Sequence, residues 1–115
     1  MKINLKKFKK VKSTNDIAIN LIKKNISAPT LITSDKQTKG RGRIGKKWIS
    51  KKGNLFISIF FKFDQSRINF KQFTFLNALL LKNVISKTIS KKIQIKWPND
   101  LLYNNMKFCG ILQEV

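Results

Sequence analysis

The sequence contains no histidine and a single cysteine, Cys109, in 115 residues. An internal disulfide and a cysteine zinc site are thereby excluded, and no imidazole is available as a base or metal ligand. Proline is confined to Pro29 and Pro98 and glycine to five positions, too few for a proline-rich linker or a glycine-rich low-complexity tract. No run approaches the roughly 20 apolar residues of a membrane span. The opening "MKINLKKFKK" has lysines where a signal peptide needs an apolar stretch. A reducing, cytoplasmic setting without membrane contact is expected. Carboxylates are scarce as well: five Asp and Glu face 25 Lys and Arg.

An apolar fraction of 42% with nine phenylalanines marks a chain that folds around a modest core, as one small domain or part of one. The net charge of +20 points toward a polyanion. Two observations weaken that inference. Only Arg41, Arg43 and Arg67 are arginine, and the lysines spread along the whole chain alongside abundant Ile and Asn, as an A/T-rich coding bias would produce. Nucleic acid is therefore not the expected main partner, although a basic nucleic-acid-binding module stays open as an alternative.

"INLKKFKKV" reads as a first strand, and Ser13 or Thr14 as the N-cap of a helix to about Lys24, with Asp16 in its first turn. Ile17, Ala18, Leu21 and Ile22 form its apolar stripe. "APTLITS" reads as a buried strand. "GNLFISIFFKF", apolar on both faces, reads as a central strand. "NFKQFTFLNALLLKNVISKTIS" is apolar around most of the helical wheel, which suits a buried helix. "KIQIKW" reads as a strand ended by Pro98, and "LLYNNMKFCGILQEV" as a hairpin turning at Asn104 and Asn105. The expected fold is α+β, in α/β layers, with a mixed sheet packed against helices. The apolar "GILQEV" at the end leads to the expectation that further strands of the same domain lie beyond residue 115.

Between strands lies "SDKQTKGRGRIGKKW". Gly40, Gly42 and Gly45 permit φ > 0 and close approach of backbone N–H groups to an anion. Arg41 and Arg43, two apart in an extended loop, project to one side where both guanidinium groups grip one anion. A Rossmann fingerprint and a P-loop both require a helix after the glycines, and here a strand follows. A solvated basic loop explains the segment equally well on its own.

Taken in order, "STN" at Ser13–Asn15, Q-x-x-G-R-G-R-x-G-x-x-W from Gln37 to Trp48, "KWPND" at Lys96–Asp100 and "KFCGILQE" at Lys107–Glu114 resemble the catalytic domain of biotin protein ligases (biotin–[acetyl-CoA-carboxylase] ligase). The resemblance runs from about Lys9 to the last residue. Lipoate ligases and octanoyltransferases share the fold but not this glycine-arginine loop followed by KWPND. The resemblance implies activation of biotin with ATP and Mg²⁺ to biotinyl-5′-AMP, then transfer to a lysine of a biotin carboxyl carrier domain of acetyl-CoA carboxylase or a related carboxylase. It offers a second copy of the chain as a further candidate partner.

The same resemblance distributes roles. Ser13, Thr14 and Asn15 would contact biotin, against the plainer reading of an N-cap. Gln37 would hydrogen-bond the ureido ring, and Gly40, Arg41, Gly42 and Arg43 would form the biotin and adenylate loop. Lys107 would bridge the biotin carboxylate and the α-phosphate, and with Arg43 it is the expected catalytic cation. Gly110 and Ile111 would lie under the biotin rings. Trp48 would order the loop or flank adenine. Asn99 and Asp100 would serve phosphates or magnesium, brace Arg43, or simply form a turn. No protein metal ligand is expected, and Cys109 reads as a small hydrophobe. Ile44 and Lys46 depart from the further arginines of many relatives. The domain expectation is residues 1–115 as the N-terminal part of that catalytic domain, without a helix-turn-helix segment, hence no repressor role, and without the C-terminal barrel. An inactive truncated relative is the remaining alternative.

Overall fold

The computed structural model describes residues 1–89 and 92–115, and the chain divides into two units, Met1–Phe63 and Asp64–Val115. In the first unit β1 (Asn4–Val11) leads through α1 (Thr14–Lys23) to β2 (Thr30–Gln37), which lies parallel to β1 with Asn4 opposite Thr30 and Val11 opposite Gln37. Parallel strands need a crossover of this kind. Ser13 ends the strand run in extended backbone, and its hydroxyl accepts from the Asp16 N–H, which starts the helix.

β3 (Gly40–Arg41) and β4 (Lys47–Trp48) form a small antiparallel hairpin around a 3₁₀ turn at Arg43–Gly45. β5 (Phe56–Phe60) then pairs antiparallel with β2, giving the mixed order β1-β2-β5. Among the described residues β2 is thus the middle strand of this sheet and β5 lies at an edge, where its sequence suggests a central strand. Apolarity on two faces reports what lies above and below a strand and says nothing about its hydrogen-bonding neighbours. Phe56 and Ser58 are buried on one face of β5 while Ile57 and Ile59 stay half exposed on the other. The core of this unit gathers Val11, Ile32 and Phe56 from the strands with Ala18 from α1. β1 closes the other edge with Lys6, Lys7, Lys9 and Lys10 exposed, charges that discourage edge pairing with another chain.

In the second unit α2 (Phe70–Thr88) opens with a reciprocal cap: Asn69 Oδ1 accepts from Gln72 N–H at 2.9 Å and Gln72 Oε1 accepts from Asn69 N–H at 3.1 Å. The sequence reading carried this helix to Ser90, which lies outside the described residues. β6 (Gln94–Lys96), β7 (Asp100–Tyr103) and β8 (Met106–Gly110) make an antiparallel meander. Asn104 and Asn105 adopt φ of 50° and 58°, the left-handed pair that a two-residue hairpin turn requires. The expectation of a buried α2 fails within its own unit. β6 and β7 cover one face, where Ala78 is buried, and Leu80 and Val84 remain exposed. Among the described residues no helix is long and apolar enough to cross a membrane.

Candidate functional site

The first unit concentrates buried polar groups where β1 and β2 end and α1 begins, at the carboxyl ends of parallel strands, the usual ligand side of such sheets. Gln37, the last residue of β2, turns Oε1 toward Thr14, accepting its backbone N–H at 2.8 Å, with the Thr14 hydroxyl oxygen 3.1 Å away. Gln37 Nε2 donates to Ser50 Oγ at 2.9 Å, and Ser50 donates onward to the Trp48 carbonyl at 3.1 Å. Thr14 Oγ1 also lies 2.7 Å from Ser58 Oγ, and Ser58 donates to Asn15 Oδ1. Ser13, Thr14, Ser50 and Ser58 are each at most 6% exposed, so every one of these groups needs the partners it has.

The basic hairpin is joined to this cluster. Arg41 donates to Asp16 Oδ1 at 2.8 Å, tying β3 to the first turn of α1. Arg43 sits in the 3₁₀ turn with an exposed side chain. The two arginines therefore differ in environment. Arg41 is held by a carboxylate, and Arg43 is left to solvent. Of the hairpin glycines, Gly42 has φ of −104° and only Gly45 takes a positive φ, 66°. Gly40 is required for space instead, because a Cβ there would meet Ser50 Oγ, the Trp48 carbonyl and Gln37 Nε2.

The second unit holds the remaining predicted residues in one group. Lys107 Nζ lies 2.9 Å from Asp100 Oδ1, an oxygen otherwise sealed from solvent. Asp100 is opposite Gly110 in the β7–β8 register. Asn99, 8% exposed, donates its side-chain amide to the Ile111 carbonyl at 2.8 Å, and its own carbonyl accepts from Ile111 N–H at 2.9 Å. Burial pushes the Cys109 thiol up, the Asp100 carboxylate adds to this, and Lys107 opposes both. Such a thiol is a poor nucleophile at neutral pH.

Ser50, Ser58 and the Asp16 partnership with Arg41 escape the sequence reading. For Ser58 a signal exists: it is the one hydroxyl on the inward face of the apolar run "FISIF". Asp16 reads only as a helix-start charge, and Ser50 offers no signal. Two hollows of about 430 Å³ and 400 Å³ open at the other end of the sheet, against Ile22, Phe60, Pro29 and Ile59. None of the predicted residues lines them.

Comparison with known proteins places this arrangement. Residues 7–115 match the biotin/lipoate A/B protein ligase family. The chain is 38% identical over 104 residues to the bifunctional ligase/repressor BirA of Bacillus subtilis, covering 90% of this chain and 32% of that protein. It is 32% identical over 104 residues to a biotin–[acetyl-CoA-carboxylase] ligase of Paracoccus denitrificans, covering 89% and 43%. The biotin protein ligase of Aquifex aeolicus, solved in complex with biotin and ATP, superposes with a TM-score of 0.83 at 34% identity, over 97% of this chain and 47% of that one. The chain spans about a third of the BirA relative's length and about half of the solved Aquifex chain. With nearly all of its length matched by the family and by these relatives, the chain belongs to the biotin/lipoate A/B protein ligase family.

Proposed function

We propose that the chain is the biotin- and nucleotide-handling part of a biotin–protein ligase. In this reading a biotin carboxylate oxygen attacks the α-phosphorus of ATP and the bond to the β-phosphate breaks. Biotinyl-5′-AMP forms and pyrophosphate leaves. A lysine amine of a biotin carboxyl carrier domain then attacks the acyl carbon, an amide forms, AMP departs, and the amine loses its proton to solvent. Two anions must meet in the first step, so positive groups have to offset a repulsion of several kcal/mol. Lys107 is assigned that task, Arg43 is assigned retention of the adenylate once it has formed, and magnesium enters with the phosphates of its substrate. Among the described residues no three His, Cys, Asp or Glu side chains cluster as a metal site.

The observation that carries the reading is the cluster around Gln37. It is built from neutral donors and acceptors, buries its hydroxyl residues while Gln37 and Asn15 stay partly accessible, and stands at the start of α1 beside the basic hairpin. Neutral hydroxyl and amide groups suit a neutral polar ring such as a ureido group, and the hairpin suits the charged end of the same substrate. Titration calorimetry with biotin, then with ATP and magnesium, tests it. Gln37→Ala is expected to weaken biotin binding by about 1–3 kcal/mol through lost buried hydrogen bonds. A folded sample that takes up neither ligand would overturn the reading. The acceptor is proposed to be a carrier domain of acetyl-CoA carboxylase or a related enzyme, and its check is biotin incorporation at the carrier lysine alone.

A further inference from the structure

We propose that Ser58 is a positioning residue that sets the side chains of Thr14 and Asn15 at the start of α1. The proposal rests on the ligase reading for what those two side chains face, and on the structure for how they are held.

Ser58 lies on the inward face of β5, opposite Ile32, which is fully buried, and two residues from buried Phe56. A hydroxyl in such company is costly unless it is hydrogen-bonded. Both of its bonds go to one place. Thr14 Oγ1 is 2.7 Å away and Asn15 Oδ1 accepts the Ser58 proton, although Thr14 precedes Ser58 by 44 residues. A strand fixed in the sheet therefore holds two successive residues of a helix start.

The proton count sharpens the point. Ser58 has one hydroxyl proton and gives it to Asn15, so the Thr14–Ser58 link must use the Thr14 proton. That same proton is within reach of Gln37 Oε1 at 3.1 Å, an oxygen already engaged by the Thr14 backbone N–H at 2.8 Å. Ser58 offers the closer of two acceptors and decides where the Thr14 hydroxyl points. Without it, the Thr14 hydroxyl turns to Gln37 and Asn15 Oδ1 loses a donor.

The test compares Ser58→Thr with Ser58→Val in this chain, an equal-volume pair that differs only in the hydroxyl, with Ser58→Ala as a third variant. Any packing cost of the added methyl is common to the first two. The valine and alanine variants are expected to bind biotin about tenfold more weakly than the parent, the loss of roughly one buried hydrogen bond. The threonine variant is expected to stay within about threefold. Without ligand, the NMR signals of the Thr14 methyl and Asn15 side-chain amide should move in valine and alanine variants and not in threonine, while Ile32 keeps its position. Equal biotin affinity and unmoved Thr14 and Asn15 signals in all three variants would overturn the proposal. If the folded parent binds no biotin, the ligase reading falls, and the NMR comparison alone decides whether Ser58 positions the two side chains.

Discussion

Replacing Gly40 with alanine puts a methyl group where three groups already meet. The new Cβ would collide first with Ser50 Oγ, then lie 2.6 Å from the Trp48 carbonyl oxygen and 3.0 Å from Gln37 Nε2. The carbonyl cannot swing away easily, because Trp48 pairs directly with residue 40 in the hairpin. Forcing an extra carbon into a filled space costs about 1–3 kcal/mol. Displacing Ser50 from Gln37 adds roughly 1 kcal/mol. The sum, about 2–4 kcal/mol, corresponds to a fall in unfolding midpoint on the order of 10 °C or more for a domain of this size. Two neighbours serve as controls. A Cβ at Gly42 has its nearest atoms at 3.6 and 3.7 Å, so Gly42→Ala should change stability by less than about 0.5 kcal/mol. Gly45 has open space around it but φ of 66°, so Gly45→Ala should cost about 1 kcal/mol through backbone conformation alone. Thermal and denaturant unfolding of the three variants should give the order Gly40, then Gly45, then Gly42. A Gly40→Ala variant as stable as Gly42→Ala would refute the claim that this glycine exists for close packing beneath Gln37.

Lys107→Ala should abolish adenylate formation and also lower stability by about 1 kcal/mol, since it strands the buried oxygen of Asp100 while the ammonium itself is 42% exposed and screened. Adding Asp100→Asn should restore the unfolding midpoint and not the activity; recovered adenylation in the double variant would remove Lys107 from the chemistry. Arg43→Gly should keep adenylate formation and release biotinyl-5′-AMP faster, labelling lysines without regard to sequence, and an unchanged release rate measured by trapping with free amine would end its role in a lid. Cys109, raised by burial and by Asp100, should react slowly with a disulfide reagent near neutral pH; Asp100→Asn should shift the rate profile to lower pH, and an unmoved profile would leave burial as the sole cause.

Most elements were legible because they announce themselves locally. Ser13 and Asp16 mark the start of α1, and Asn104–Asn105 mark the turn of the last hairpin. The motif residues were legible as types, and Thr14 and Gln37 do meet, as do Asp100 and Lys107. Pairing was less accessible. β5 and β2 are both rich in apolar and β-branched residues, and nothing local says which of them has neighbours on both edges. The hairpin conformation was misread for a related reason. Its glycines suggest freedom, yet Gly40 is buried and serves contact with groups distant in sequence. Ser50 and Ser58 matter only through partners 13 and 44 residues away, a relation that no window along the chain contains.

The first unit uses its interior in a way stability alone does not explain. Val11, Ala18, Ile32 and Phe56 are its buried apolar residues, while Ser13, Thr14, Thr30, Ser34, Ser50 and Ser58 share the same depth. Each buried hydroxyl gains about 1 kcal/mol net at best from its hydrogen bond, less than an apolar side chain of similar size gains by burial. Thr30 and Ser34 bond to backbone carbonyls of their own neighbourhood, at Ala28 and Lys36, and serve the turns there. Thr14, Ser50 and Ser58 instead bond to one another's partners across α1, β2 and β5, and they converge on Gln37 and Asn15. A network of that kind fixes side-chain direction, which apolar packing does not do for a hydroxyl or an amide. Arg41 is fixed in the same manner by Asp16, and Arg43 next to it is not. The unit thus keeps a polar floor of fixed side-chain direction beside the exposed cation Arg43. That combination suits a ligand with a neutral end to be recognised and a charged end to be handled.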